Sequence, residues 1–166
     1  MSVIDEVLAA NKTYAEGFAL GHLPTPPARR LAVVACMDAR QAIFSMLGLK
    51  PGDALIIRNA GGIVTDDVLR SLIVAYHLLS VRDIMIINHT ECGLLAFKDD
   101  EMRAHLRRIT GADPVTPKHF YSFSDLEQNV RAQVQTVHSH PWIPSSITAR
   151  GFIYDVKTGL LSEVSA

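Results

Sequence analysis

The chain has 166 residues, of which 48% are hydrophobic and 20% charged; its formal net charge is −1 and its isoelectric point lies near 6.6. That length suits one domain with a sizeable core, and the composition excludes an intrinsically disordered chain. The near-zero charge argues against nucleic acid or an anionic membrane as partner, and no apolar run is long enough to span a bilayer. Met1 to Leu8 carries Asp5 and Glu6 and lacks the basic-then-apolar order of a secretory or transit segment, so a cytoplasmic location is expected.

Ile4, Val7, Leu8, Ala15 and Phe18 recur at helical spacing, which predicts a helix from about Val3 to Phe18. Gly21 and Pro24-Thr25-Pro26-Pro27 end it. The chain then divides into an N-terminal helical arm with a proline-rich linker, residues 1–28, and an α/β domain, residues 29–166. An arm of this kind packs on its own domain or on a partner chain. Leu31 to Cys36 is a continuous apolar run, as expected of a strand buried on both faces of a parallel sheet. Gln41 to Leu47 reads as a short helix stopped by Gly48. Ala54 to Ile57 reads as a second strand, running into Arg58-Asn59-Ala60-Gly61-Gly62, a loop able to bring backbone very close to a neighbour.

Thr65 is placed to cap a helix reaching Leu79, with Asp66 and Asp67 suited to its dipole. Ile84 to Ile87 is a third buried strand, leading directly into Asn88-His89-Thr90-Glu91-Cys92-Gly93. Helices are expected over Asp99–Ile109 and Ser124–His138, with Gly111 to Pro117 a loop between them. Asp99-Asp100-Glu101 reads as a solvated helix start, and Trp142, between Pro141 and Pro144, as a loop anchor. Arg150 to Val156 and Leu160 to Val164, joined by Lys157-Thr158-Gly159, read as a strand with a hairpin return. The alternation defines a single α/β domain: a mostly parallel central sheet flanked by helices, with the N-terminal arm.

The two cysteines, Cys36 and Cys92, are better read as metal ligands or catalytic groups than as a disulfide in a cytosolic protein. Cys36 ends the first strand, and His89 and Cys92 follow the end of the third. Binding sites in doubly wound sheets form outside the carboxyl ends of strands. If the first and third strands are neighbours, two thiolates and an imidazole converge there. That set suits zinc, and three protein ligands leave a fourth position open. Asp38 and Arg40 share a face with Cys36 in extended geometry. Asp38 would accept a hydrogen bond from zinc-bound water while Arg40 pins its carboxylate.

Each feature alone has a blander reading: a core cysteine, a plain Asp38–Arg40 ion pair, turn glycines at Gly61 and Gly62. Their joint occurrence favours the metal site. Arg58 reads as structural, pairing with an acid across the sheet or a dimer. His22, His77, His105, His119, His138 and His140 are scattered and are not expected as ligands.

With Cys36-x-Asp38-x-Arg40, Arg58-Asn59-Ala60-Gly61-Gly62 and His89-x-x-Cys92-Gly93 in order, the chain resembles the β-carbonic anhydrase family from Ala32 through Gly93. The resemblance implies one Zn2+ per chain held by Cys36, His89 and Cys92, and a zinc-bound hydroxide that converts CO2 reversibly to bicarbonate. Asp38 and Arg40 are then the orienting catalytic dyad, and Asp38 a fourth ligand when the site is closed. It also implies a homodimer, embraced by the N-terminal helix and pairing into a homotetramer in some members. The substrate pocket is expected at Gly61, Gly62, Ile63, Gly93 and Leu94, with Ile43, Val64 and Leu95 as further apolar candidates. The glutamine and aromatic residues that larger members place near substrate are not matched here. The chain also resembles the small branch that includes carbonyl sulfide hydrolases, so hydrolysis of carbonyl sulfide at the same zinc is the second reading. A non-catalytic zinc or redox-sensing module is the third.

Overall fold

A computed structural model describes residues 2–165. Five strands form one sheet: β1 (Leu31–Cys36), β2 (Ala54–Asn59), β3 (Asp83–His89), β4 (Thr148–Tyr154) and β5 (Leu161–Val164). Their order is β2-β1-β3-β4-β5, parallel throughout except for β5, which returns antiparallel to β4. Strand β1 is central, with Leu31 opposite Ala54 on one side and Asp83 on the other. The chain leaves β1 toward β2 and comes back across β1 to β3. The boundary between β1 and β3 is therefore the switch point at which doubly wound sheets open a crevice.

The helices are α1 (Val3–Glu16), α2 (Ile43–Met46), α3 (Asp66–Leu79), α4 (Asp99–Thr110) and α5 (Leu126–Ser139). Side-chain caps fix where three of them begin. Ser2 and Asp5 form a capping box at α1, the Thr65 hydroxyl accepts from the Val68 N–H at α3, and Asp125 accepts from the Gln128 N–H at α5. Ala32 and Val34 of β1 face α3 and α5, where they join Val68, Leu72, Ala75 and Val137. Val33 and Ala35 face the other way and join Ile43 and Ile87. Burial on both faces is why β1 reads as an uninterrupted apolar run rather than an alternating one. Each fully buried aliphatic side chain stabilises the fold by about 1.5–3 kcal/mol relative to exposure, so this interior strand is firmly held.

The two faces are covered unequally. Helices α3 and α5 spread over one, while the other has only the four-residue α2. Ile56, Met85, Phe152 and Leu161 consequently stay half-buried beside the smaller cluster. Helix α1 buries none of its residues, and Val3, Ile4, Val7 and Leu8 lie exposed on it. Among the described residues no helix is long and apolar enough to cross a membrane.

Several boundaries move from their expected places. The first helix stops at Glu16, with Gly17 as its C-cap, before the expected Phe18. The short helix after β1 is limited to Ile43–Met46, and β3 runs on to His89, so that this histidine is itself a strand residue. Trp142 is 69% exposed, its ring meeting the His140 ring edge-on and its carbonyl lying 2.9 Å from His77 Nε2, while Ile143 and Ile147 on either side of Pro144 supply the buried apolar contacts of this loop.

Candidate metal centre

Strand β1 delivers Cys36 and β3 delivers His89 to adjacent positions at the carboxyl end of the sheet. Cys92 follows His89 through a tight turn in which Glu91 takes a left-handed conformation, φ 57°. The two sulfurs and an imidazole nitrogen lie within 4.8 Å of one another, and the three residues are 5%, 1% and 5% exposed in chain order. His89 Nδ1 lies 2.8 Å from the Thr90 carbonyl, an acceptor only, so Nδ1 carries the hydrogen and Nε2 presents its lone pair. That Nε2 is buried and has no hydrogen-bond partner among the described residues. A buried nitrogen lone pair facing two thiols fits a cation that takes nitrogen and sulfur together, and zinc is such an ion. Gln41 is the other buried side chain with unpartnered polar atoms, but no second group of metal-ligating side chains is gathered among the described residues.

Protons occupy this cluster when no cation does. The closeness of the two sulfurs draws the Cys36 thiol well below its ordinary value and, with burial, pushes Cys92 well above. Burial works to lower the His89 value, and the neighbouring Cys36 sulfur and the Thr90 carbonyl outweigh it. A bound cation takes the place of those protons.

Asp38 sits at the rim of the trio, its Oδ2 3.8 Å from His89 Nε2. Arg40 grips this carboxylate with its backbone N–H (2.9 Å to Oδ1), its Nε (3.0 Å to Oδ1) and its Nη2 (2.8 Å to Oδ2). The Arg40 side-chain and backbone hydrogen bonds hold the Asp38 carboxyl well below the usual carboxylate range. Asp38 is thus ionised and turned to Arg40, outside the ligand trio. The far side of Arg40 reaches Glu91 Oε2 at 3.3 Å, and Lys157 Nζ meets Glu91 Oε1 at 2.8 Å. Arg58 pairs with no acid among the described residues. Its Nε donates to the Cys36 carbonyl (2.9 Å) and its Nη2 to the Asp38 carbonyl (2.6 Å), so it braces the backbone that carries both residues.

Ala60–Gly62 forms a 3-10 turn that lies against the end of β1. Gly61 donates its N–H to Cys36 Sγ at 3.3 Å. Gly62, at φ +64°, passes so close that a Cβ would stand 2.8 Å from the Cys36 nitrogen. The neighbour expected for this loop is therefore the backbone of β1 itself. Ile63 and Leu94 pack with Cys36 and Cys92, joined by Phe97 and Phe123, and form an apolar wall beside the trio. Gly93 is exposed. Of the further apolar candidates, Ile43 belongs to the core cluster under α2, Val64 to the core under α3, and Leu95 is exposed.

Phe97 and Phe123 were not anticipated, and neither was the residue that fixes one of them. Asp99 is not a solvated helix start: its carboxylate accepts from the N–H groups of Phe120 (2.8 Å), Tyr121 (3.3 Å) and Ser122 (3.0 Å). The next residue, Phe123, donates its N–H to the Leu94 carbonyl at 3.2 Å. An acidic residue at a helix start looks the same in sequence whether it meets water or a distant loop.

Fold and donor set together define an α/β protein with a buried Cys-His-Cys cluster at its switch point that could hold a metal ion. A family model described as "Carbonic anhydrase" matches residues 31–161. Over 165 residues, 99% of each chain, the sequence is 44% identical to Beta-carbonic anhydrase 1 of Mycobacterium tuberculosis. The crystal structure of carbonic anhydrase from Streptococcus mutans aligns with a TM-score of 0.93 at 41% identity, covering 99% of both chains. A carbon disulfide hydrolase of Acidithiobacillus thiooxidans is 34% identical over 82% of this chain and 77% of its own. The chain belongs to the β-carbonic anhydrase family. Zinc is the family's ion, and the donor chemistry of Cys36, His89 and Cys92 fits it.

Proposed function

We propose that this chain is a zinc-dependent carbonic anhydrase, a lyase interconverting CO2 and bicarbonate, with Cys36, His89 and Cys92 as metal ligands and Asp38 and Arg40 as the catalytic dyad. The observation that carries the reading is the buried, unpartnered His89 Nε2 beside two cysteines and an ionised, pinned carboxylate. The 44% identity to a carbonic anhydrase over nearly the whole chain supports it.

Zinc, when bound, supplies Lewis-acid activation of water near neutral pH. The chain's own residues do the rest. Asp38 Oδ2 accepts a hydrogen from the reacting water and so turns its lone pair toward the apolar wall of Ile63 and Leu94. Arg40 keeps the carboxylate ionised and aimed; were it to let go, Asp38 could serve a bound zinc as a fourth ligand and so close the site. The wall of Ile63, Leu94, Phe97 and Phe123 offers an apolar surface to a linear, uncharged substrate, with Gly61, Gly62 and Gly93 completing the backbone around it.

Metal analysis should find one zinc per chain, and stopped-flow CO2 hydration should be lost on zinc removal and return on reloading. Asp38→Asn, which keeps shape and removes the anion, should retain zinc and lose at least about 100-fold in kcat, the usual scale for a positioned proton acceptor. Full activity without metal, or an unimpaired Asp38→Asn, would sink the mechanism. Hydrolysis of carbonyl sulfide at the same centre is the second reading, favoured by the apolar wall. Its support is thinner: the hydrolase relative is the more distant one and is named for carbon disulfide. The ratio of kcat/KM for CO2 to that for each sulfur compound on one zinc-loaded preparation decides between them. A redox role would need a Cys36–Cys92 disulfide, whereas both thiols are free.

The quaternary reading is a homodimer, with pairing into a homotetramer as the larger assembly. It is supported by the exposed apolar residues of α1 and the thinly covered sheet face over α2, surfaces that a second copy would bury. Sedimentation of Ile4→Asp should then show dissociation, and an unchanged mass would remove α1 from the interface.

A further inference from the structure

Three side-chain amides form one continuous run of hydrogen bonds beneath the loop that follows β2. The Val64 N–H donates to Gln133 Oε1 (2.6 Å), and Gln133 Nε2 donates to Asn129 Oδ1 (3.2 Å). Asn129 Nδ2 donates to Asn88 Oδ1 (2.8 Å), and Asn88 Nδ2 donates to the carbonyls of Gly61 (2.8 Å) and Gly62 (3.3 Å). The run starts and ends on the same short segment, residues 61–64. It passes through α5, which carries Asn129 and Gln133, and through β3, which carries Asn88.

Its direction is forced. The Val64 N–H can only donate and the two glycine carbonyls can only accept, so each amide between them must accept on one side and donate on the other. Asn and Gln do this; an aliphatic residue does neither, and a carboxylate only accepts. Asn88 is fully buried and Gln133 is 9% exposed, so a broken link would leave polar groups stranded out of water. Docking α5 on the sheet does not call for such a run, because Val130 and Val137 of that helix are themselves fully buried. What the run does hold is the peptide segment whose Gly61 N–H points at Cys36 Sγ.

We propose that Gln133 and Asn129 are positioning residues of the metal centre, acting through Asn88 to hold the Gly61 peptide so that its N–H stays on the Cys36 sulfur. The inference rests on the metal-site reading above. Partners that orient a metal ligand typically change metal affinity 10- to 100-fold when removed. Gln133 would exert that effect from a helix that contributes no ligand.

The test is zinc affinity by chelator competition on the full chain, with amide exchange of Gly61 followed in the zinc-loaded protein. Gln133→Met keeps the shape and removes both bonds; it should weaken zinc binding about 10- to 100-fold and speed exchange at Gly61. Gln133→Glu still accepts from Val64 but offers Asn129 no hydrogen, so its loss should be smaller. Val137→Ala on the same helix lowers stability without touching the run and should bind zinc as the parent does. A folded Gln133→Met with parental zinc affinity overturns the proposal. If Gln133→Met does not fold, parental affinity in Gln133→Glu overturns it equally. An affinity loss in Val137→Ala as large as in the Gln133 variants also overturns it, since the effect would then be one of general stability. A parent chain that binds no zinc refutes the metal reading instead, a separate and distinguishable failure.

Discussion

Replacing Gly62 by alanine adds one methyl group at the most crowded backbone contact near the metal centre. Gly62 sits at φ +64°, where an L-residue with a Cβ pays about 1–2 kcal/mol. The new Cβ would lie 2.8 Å from the Cys36 nitrogen, 2.9 Å from the Ala35 carbonyl carbon and 3.1 Å from Asn88 Nδ2. The first two are backbone atoms of β1, which is locked between β2 and β3, so neither can rotate away. Overpacking of this kind costs about 1–3 kcal/mol more. The sum, roughly 2–5 kcal/mol, is a large part of the 5–15 kcal/mol that holds a typical domain. Relief requires either the loop or the Cys36 end of β1 to shift, and both carry groups that touch the metal ligand. Gly62→Ala should therefore lower the urea midpoint and weaken zinc binding together. Gly93→Ala is the internal control: no atom lies within 4 Å of its would-be Cβ, and the change should stay within about 0.5 kcal/mol. Equal effects at the two glycines, or a Gly62→Ala loss below about 1 kcal/mol, would refute the reasoning.

Asp99 supplies a pH prediction. Burial works against its ionisation, and the N–H groups of Ser122, Phe120 and Tyr121 outweigh it, holding the carboxyl below the ordinary range. Its folded value lies below its unfolded one, so its contribution is complete above about pH 4 and is lost as pH falls through the folded value. The amide protons of residues 120–122 should titrate below about pH 4 by NMR and cease to do so in Asp99→Asn; a titration surviving that change would disprove the clamp. Arg58→Lys keeps the charge but not the fork that reaches two carbonyls, so kcat/KM for CO2 should fall by about 10-fold. Parental turnover in that variant would show that the Cys36 and Asp38 backbone needs no brace. Leu72→Ala empties a fully buried site in the α3 core and should cost about 2–5 kcal/mol in urea unfolding, with zinc affinity unchanged in the folded protein.

The parallel strands were legible because burial on both faces writes an apolar run directly into sequence. The Thr65 cap was legible because a hydroxyl before two acids has few other uses. The ligand trio was legible because cysteine is rare here and each of its members lies at or just beyond a strand end. Side-chain bonds between distant segments were not. Asn129 and Gln133 sit at spacings that fit exposed helix positions as well as buried ones, Asn88 is one polar residue at the end of an apolar strand, and only the packing of α5 on β3 shows that they meet. Asp99 escaped for the same reason, since its three N–H partners lie some twenty residues further on. An arginine beside a strand end suggests a carboxylate partner, whereas the acceptors that Arg58 meets are the Cys36 and Asp38 carbonyls, which no side-chain pattern can reveal.

The proposed ligands come from two strands far apart in the chain, Cys36 closing β1 and His89 closing β3. One ion bound across them is a removable crosslink between the two central strands. The native state would then gain RT ln(1 + [Zn]/Kd), about 2.7 kcal/mol when free zinc stands 100-fold above Kd, and nothing when it is scarce. The lifetime of this protein against unfolding and proteolysis would thus follow the zinc supply of its surroundings, independently of how much CO2 there is to hydrate.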